Sequence, residues 1–235
     1  MRDLAELVNA DEDAWPQILE WRSAATRPVD IVSAEPEAGR TALLALQVTT
    51  RSPLGAIALR CGGLLIDRGW VRILGASSIR IGDGLREWNA GLGGIPLDPP
   101  LDDALIVAYD VLGGFFALNG DRWDSSPGSL HYLAPDTYDW QGFDLGYSDF
   151  IVWAMGDRLD EFYDGQRWPG WETEVERLGP GQALSIYPPL GFEASSIVDR
   201  SRAPVPAREL WTFHHELGRQ LADLRTGDQV GLEWE

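Results

Sequence analysis

A chain of 235 residues with 37 acids against 19 basic residues, all of them arginine, carries a net charge of −18. That field repels nucleic acid and anionic membranes and favours a basic partner. A hydrophobic fraction of 44% supports a buried core, and the single cysteine, Cys61, excludes an internal disulfide and any cysteine-based zinc cluster. No run approaches eighteen apolar residues and no apolar segment of signal length opens the chain, so a cytoplasmic protein with no membrane span is expected.

Residues 3–26 read as helical. Asp3 can cap a short turn through Leu7, and Asp11 or Asp13 can cap a second helix whose apolar face holds Trp15, Ile18, Leu19 and Trp21. Pro28 ends it, since proline disfavours a helical residue before it. A brief strand at 29–32 and a helix opened by Glu35-Pro36-Glu37 follow, and Pro53 is expected to break that helix. The runs 56–59, 63–66 and 70–74 then read as short strands, the last two joined by the hairpin residues Asp67-Arg68-Gly69. Residues 82–94 are glycine-rich around a short helix at 85–89, and 95–103 is a loop with three prolines.

Residues 104–155 form the centre of the reading. The run 104–109 is apolar throughout, as in a strand covered on both faces. Asp110 to Gly114 supplies a reversal, 115–118 a second strand, Asn119-Gly120 a turn, and 129–134 a third strand with Leu130 and Tyr132 on one face. After an acidic loop, Tyr147, Phe150, Ile151 and Ala154 recur at helical spacing. Further on, Asp157 caps a helix with Leu159, Phe162 and Tyr163, a turn of helix lies at 172–178, and 182–187 is a strand. Residues 188–208 read as irregular, and a final helix from about 206 carries the seam Leu210, Phe213, Leu217, Leu221 and Leu224. The fold class is α+β: one domain with a helical part at 1–50, an antiparallel sheet meander at 55–155 and a helix-and-loop part at 156–235.

Catalytic constellations are scarce. His214 and His215 point about 100° apart on a helix and do not share a metal easily, and His131 is expected to face solvent. There is no Gly-x-Ser-x-Gly elbow, no Walker loop and no dinucleotide fingerprint, so the reading leans away from an enzyme and calls for no cofactor or metal. Residues 136–176, by contrast, hold eleven acids against two arginines together with ten aromatic residues. Acids steer a basic partner, and exposed tryptophan supplies contact area. Trp140, Asp144, Trp168, Trp171 and Glu172 are therefore candidate partner contacts.

The strings LQVTTRSPLGAIAL, GGLLIDRGWVRILG, GGFFALNG, YLAPDTYDW, LGYSDFIVWAM and FYDGQRWPGWE resemble the bacterial domain of unknown function 2625 family, over roughly residues 4–221. That resemblance implies no activity. Over residues 69–155 the order of elements also resembles the SUKH superfamily core. This implies an α+β binding scaffold, many of whose bacterial members are immunity proteins against toxins. The leading expectation is a non-enzymatic protein-binding module, of the kind that inhibits a basic enzyme. The alternative is a small-ligand binder or enzyme with a pocket between the sheet and the N-terminal helices, near Arg51, Asp67 and Asp110, where arginine suits an anionic group. A structural subunit that pairs with copies of itself is a third reading.

Overall fold

The computed structural model describes residues 1–9, 11–192 and 196–222. Helix α1 (Leu4–Leu7) is closed by a capping box: Asp3 accepts from the Glu6 amide, and Glu6 accepts from the Asp3 amide. In α2 (Trp15–Ala24) the acidic acceptor is Asp13, whose carboxylate takes the Trp15 amide at 2.8 Å. Strand β1 (Val29–Val32) and helix α3 (Ala38–Leu46) follow as expected.

The expected strand at 56–59 is instead part of a helix, α4 (Pro53–Arg60). Pro53 starts this helix, because proline in the first turn forfeits no hydrogen bond. Ser52 caps it, its hydroxyl accepting from the Gly55 amide at 3.1 Å. Gly55, Ala56, Ile57 and Ala58 are all buried, so the run is apolar because the helix lies in the core.

The sheet comprises β2 (Gly63–Ile66) and β3 (Val71–Leu74), then, after helix α5 (Leu85–Trp88), β4 (Ala104–Asp110), β5 (Phe115–Asn119), β6 (Leu130–Leu133) and β7 (Trp140–Phe143). With β1 they make seven strands in chain order, each antiparallel to the next. The expected three-strand meander is thus the centre of a longer one. Strand β7 lies inside the expected acidic loop. It has only four residues, half-exposed and interrupted by Gly142, and carries no alternation to read.

Three helices follow, α6 (Tyr147–Met155), α7 (Arg158–Phe162) and α8 (Trp171–Glu176). Asp157 precedes α7, but its side chain makes no capping bond. A two-stranded ribbon pairs β8 (Gln182–Tyr187) with β9 (Ser201–Pro206), and the chain ends its described part in α9 (Ala207–Ala222). β9 falls within the stretch expected to be irregular. Its Pro204 and Pro206 are two apart, so both missing donors fall on one side, as the outer edge of a ribbon allows. In α9, Leu210 and Leu217 are buried with Trp211 and His214, while Phe213 and Leu221 are half-buried. Leu224 lies outside the described residues.

The pleat sends alternate residues to two covered faces. On one, Phe116, Tyr132 and Phe143 meet Phe150 and Trp153 of α6 and Phe162 of α7. On the other, Tyr109, Phe115 and Trp140 meet Trp88 of α5 and Trp211 of α9. Between strands and helices sits the fully buried Asp110. Its Oδ1 accepts the amides of Leu112 and Gly114 at 2.9 Å each, and its Oδ2 accepts the hydroxyls of Tyr132 and Tyr163 at 2.7 Å each. Burial pushes the Asp110 carboxyl above its ordinary range, and those four donors oppose the shift.

Asp110→Ala leaves four buried donors unsatisfied and is expected to cost about 3 kcal/mol or more. Tyr163→Phe removes one bond and is expected to cost about 1 kcal/mol. Urea unfolding of both variants checks the order. His214 gives a pH signature. Burial lowers its pKa to about 4, and its Nδ1 lies 3.0 Å from the Gly113 carbonyl. With a folded pKa below the unfolded one, its stabilisation is present above about pH 6.5 and is lost as pH falls toward 4. Between pH 7 and 5 this amounts to about 2 kcal/mol. His214→Asn is expected to lose correspondingly less stability than wild type over that interval, measured by urea unfolding at the two pH values.

Candidate functional site

Strands β2 and β3 are joined by a tight turn, Asp67–Gly69, in which Asp67, Arg68 and Gly69 all have positive φ. The turn sets the register Asp30↔Leu65↔Arg72 across β1, β2 and β3. This row lies on the face that α5 and α9 cover farther along the sheet, but here it floors a cleft of about 440 Å³. One wall is the end of α8 with Leu178 and Pro180, and the other is Ile79 and Arg80.

The floor holds an unusual group. Arg72 is 3% exposed, yet it has no carboxylate partner among the described residues. Its Nε donates to the Gly69 carbonyl at 3.3 Å and one terminal nitrogen donates to the Gly179 carbonyl at 3.2 Å. The guanidinium carbon lies 5.9 Å from the centre of the Tyr109 ring, and its charge acts on the Tyr109 hydroxyl, opposing the rise that burial gives that group. The other charges of the cleft are matched: Arg68 pairs with Glu176 at 2.5 Å and Arg80 with Asp30 at 3.2 Å. Three arginines face two acids, which leaves one positive charge at the floor. A guanidinium presents a planar fork of donors suited to carboxylate and phosphate oxygens.

None of the three pocket residues expected from sequence lines this cleft. Arg51 is exposed and paired with Glu12 at 2.8 Å, and no hydrogen bond or ion pair joins it to Asp67 or Asp110. Asp67 is buried between Arg27 at 3.1 Å and Arg167 at 2.6 Å. Both arginines also reach Asp160, and Arg27 donates to the Gly156 carbonyl, so this network fastens the segment after α2 and the β2–β3 turn to α7. Asp67 and Asp110 are linked through a packed chain. Arg167 lies 5.0 Å over Trp70, and Trp70 meets the edge of Tyr163 at 5.4 Å.

The expected partner contacts divide by chemistry. Trp168 is 2% exposed and packs on Trp70 beneath Arg202. Trp140 is half-buried on β7, against Trp123 and Trp211, and Trp171 is half-buried against Trp70 and Arg167. Asp144 is exposed and Glu172 half-buried, and neither forms an ion pair among the described residues. The tryptophans therefore serve the core, while the acids face out.

His131 differs from its expected solvent-facing position. It is buried, stacked on Trp123 at 4.0 Å, with Nε2 at 2.9 Å from the Ser125 hydroxyl. Cys61 is buried and its thiol is pushed up to about 12, which removes it as a nucleophile. No cluster of three or more histidine, cysteine or acidic residues able to hold a metal occurs among the described residues, nor does any helix long and apolar enough to cross a membrane. Arg72 is the residue that sequence reasoning passed over. Its signal was a lone charge inside the otherwise apolar run 70–74, in a strand that is buried on both faces.

Comparison with known proteins gives relatives of the same length class. A putative uncharacterized protein of Escherichia coli, YbfG, is 36% identical over 222 residues, covering 92% of this chain and 97% of that protein. An uncharacterized protein of Haemophilus influenzae is 29% identical over 199 residues, covering 85% and 87%. No solved structure matches significantly. The family model described as "Protein of unknown function DUF2625" matches residues 4–210, and the chain belongs to that family.

Proposed function

We propose that the chain is a binding module that takes a small anionic group, a carboxylate or a phosphate, into the Arg72 cleft. The observation that carries this reading is the buried guanidinium with no carboxylate beside it. Holding an arginine out of water costs several kcal/mol unless it is paired, and two backbone carbonyls offset only part of that. An anion on the floor of the cleft would complete the set. The volume of about 440 Å³ lies in the range of small-molecule sites. The bulk field of a chain of net charge −18 opposes an anion, so this site would select its ligand by the local excess of positive charge at the cleft floor.

A second reading, a module that binds a basic protein and inhibits it as an immunity-type scaffold does, has its own support. Within 136–176, Asp136, Asp139, Asp144, Asp149, Asp157, Glu161, Asp164 and Glu172 form no ion pair among the described residues, and all but Glu172 are exposed. These charges are available to a cationic surface.

Millimolar inorganic phosphate or citrate is expected to raise the melting temperature by several degrees over chloride of equal ionic strength, because a ligand that binds only the folded state stabilises it. Arg72→Met is expected to abolish that response while matching or exceeding wild-type stability in the absence of ligand, since it removes a buried charge that lacks a carboxylate partner. An unchanged response in Arg72→Met contradicts the reading. For the protein partner, Asp144→Arg with Glu172→Arg is expected to lose any basic protein that the wild type retains from lysate at low salt. Retention of the same protein by both chains contradicts an acidic interface at these residues.

A further inference from the structure

We propose that the anion bound at Arg72 carries an apolar tail, so that the ligand class is a small amphipathic carboxylate whose chain crosses Ile79 into an adjoining depression. The inference rests on the anion-binding reading of the cleft and adds the shape and polarity of the rest of the ligand. Ile79 and Arg80 form one wall of the Arg72 cleft, and the same two residues form a wall of a second depression of about 300 Å³. That depression runs beside the end of edge strand β1 and is lined mainly by apolar groups, Ile31, Val32, Ala34 and Pro36 among them. A ligand with its head on the cleft floor meets Ile79 on its way out.

Ile79 is the feature that asks for such a ligand. It is 81% exposed, more than any other large apolar side chain among the described residues except Met1. It is not exposed for want of anchoring. Ser78 and Gly82 exchange both backbone hydrogen bonds, at 3.0 and 2.8 Å, and the buried Ser78 hydroxyl accepts the Ile81 amide at 3.0 Å. Gly82 has φ +85°, the left-handed conformation that closes the loop. The loop is therefore pinned at both ends, with an apolar side chain held in water at its tip, between two depressions. An apolar chain laid over it would remove that surface from water.

The charges say where the head goes. Arg80, on the shared wall, is already paired with Asp30, and the only other charged group lining the second depression is an acid, Glu35. Arg72 alone offers an unpaired cation, so a single anionic head belongs in the first cleft and an uncharged tail in the second.

The test is calorimetric titration of the full chain with acetate, butyrate, hexanoate and octanoate, and with inorganic phosphate. The dissociation constant is expected to fall about two- to fourfold per added methylene, as burial of a methylene predicts. Ile79→Ser is an exposed substitution that folds normally; it is expected to flatten this dependence, so that octanoate gains little over acetate on the same variant. Arg72→Met is expected to lose all five ligands. Acetate and phosphate binding with no gain from chain length, or a length dependence untouched by Ile79→Ser, overturns the tail and leaves the anion site standing. Octanoate binding equally to wild type and Arg72→Met also overturns the inference. Failure of phosphate and every carboxylate to bind overturns both the inference and the anion site.

Discussion

Four hydrogen-bond donors converge on the Asp110 carboxylate, and the position of the cleft follows from them. Two are amides of the β4–β5 reversal, one belongs to Tyr132 of β6, and one to Tyr163 just after α7. Tyr163 in turn sets its ring against Trp70, which packs on Trp168 and Trp171. Trp171 opens α8, whose far end provides Val175 and Glu176 to the cleft wall. A carboxylate buried in the centre of the protein thus locates a wall at its edge through a series of packed rings. Loss of the carboxylate leaves all four donors buried and unsatisfied, whereas loss of one donor leaves the other three bonded, so the network hangs on the acceptor.

The same fold treats its arginines in two ways. Arg27 and Arg167 are drawn into a network with Asp67 and Asp160, which joins elements distant in sequence. Arg72 is buried more deeply than Arg167, and its partners are carbonyl oxygens and the Tyr109 ring rather than carboxylates. In a chain with 37 acids, a cation without a carboxylate is not a matter of supply. It is a matter of placement: the row Asp30, Leu65 and Arg72 spaces Asp30 two strands away, and Arg80 holds it there. Such an arrangement is consistent with a group kept ready for a ligand, at some expense in stability.

Much of the architecture was legible in the residues. Runs at 104–109, 115–118 and 129–134, with turn residues between them, suffice for the central meander. Reading failed where local pattern and context diverge. Residues 56–59 look like a strand because every one of them is apolar, yet Ser52 and Pro53 start a helix and burial makes it apolar on all sides. β7 and β9 escaped because short edge strands with glycine or proline carry no alternation. The site was harder still. Arg51 was suggested by residue type alone, and tertiary placement leaves it on the surface with Glu12. Trp168 is a candidate contact in the sequence because it falls in a predicted loop, but it packs inward against Trp70. Arg72 becomes visible only when the register shows which strand faces lack a helix.

The most direct measurement is a crystal structure of the protein grown or soaked with selenate, whose anomalous scattering marks an oxyanion unambiguously. The account predicts an anomalous peak on the floor of the cleft, within hydrogen-bond distance of the Arg72 guanidinium and absent from Arg72→Met crystals. Peaks confined to surface arginines, with the cleft floor empty at saturating selenate, would contradict it.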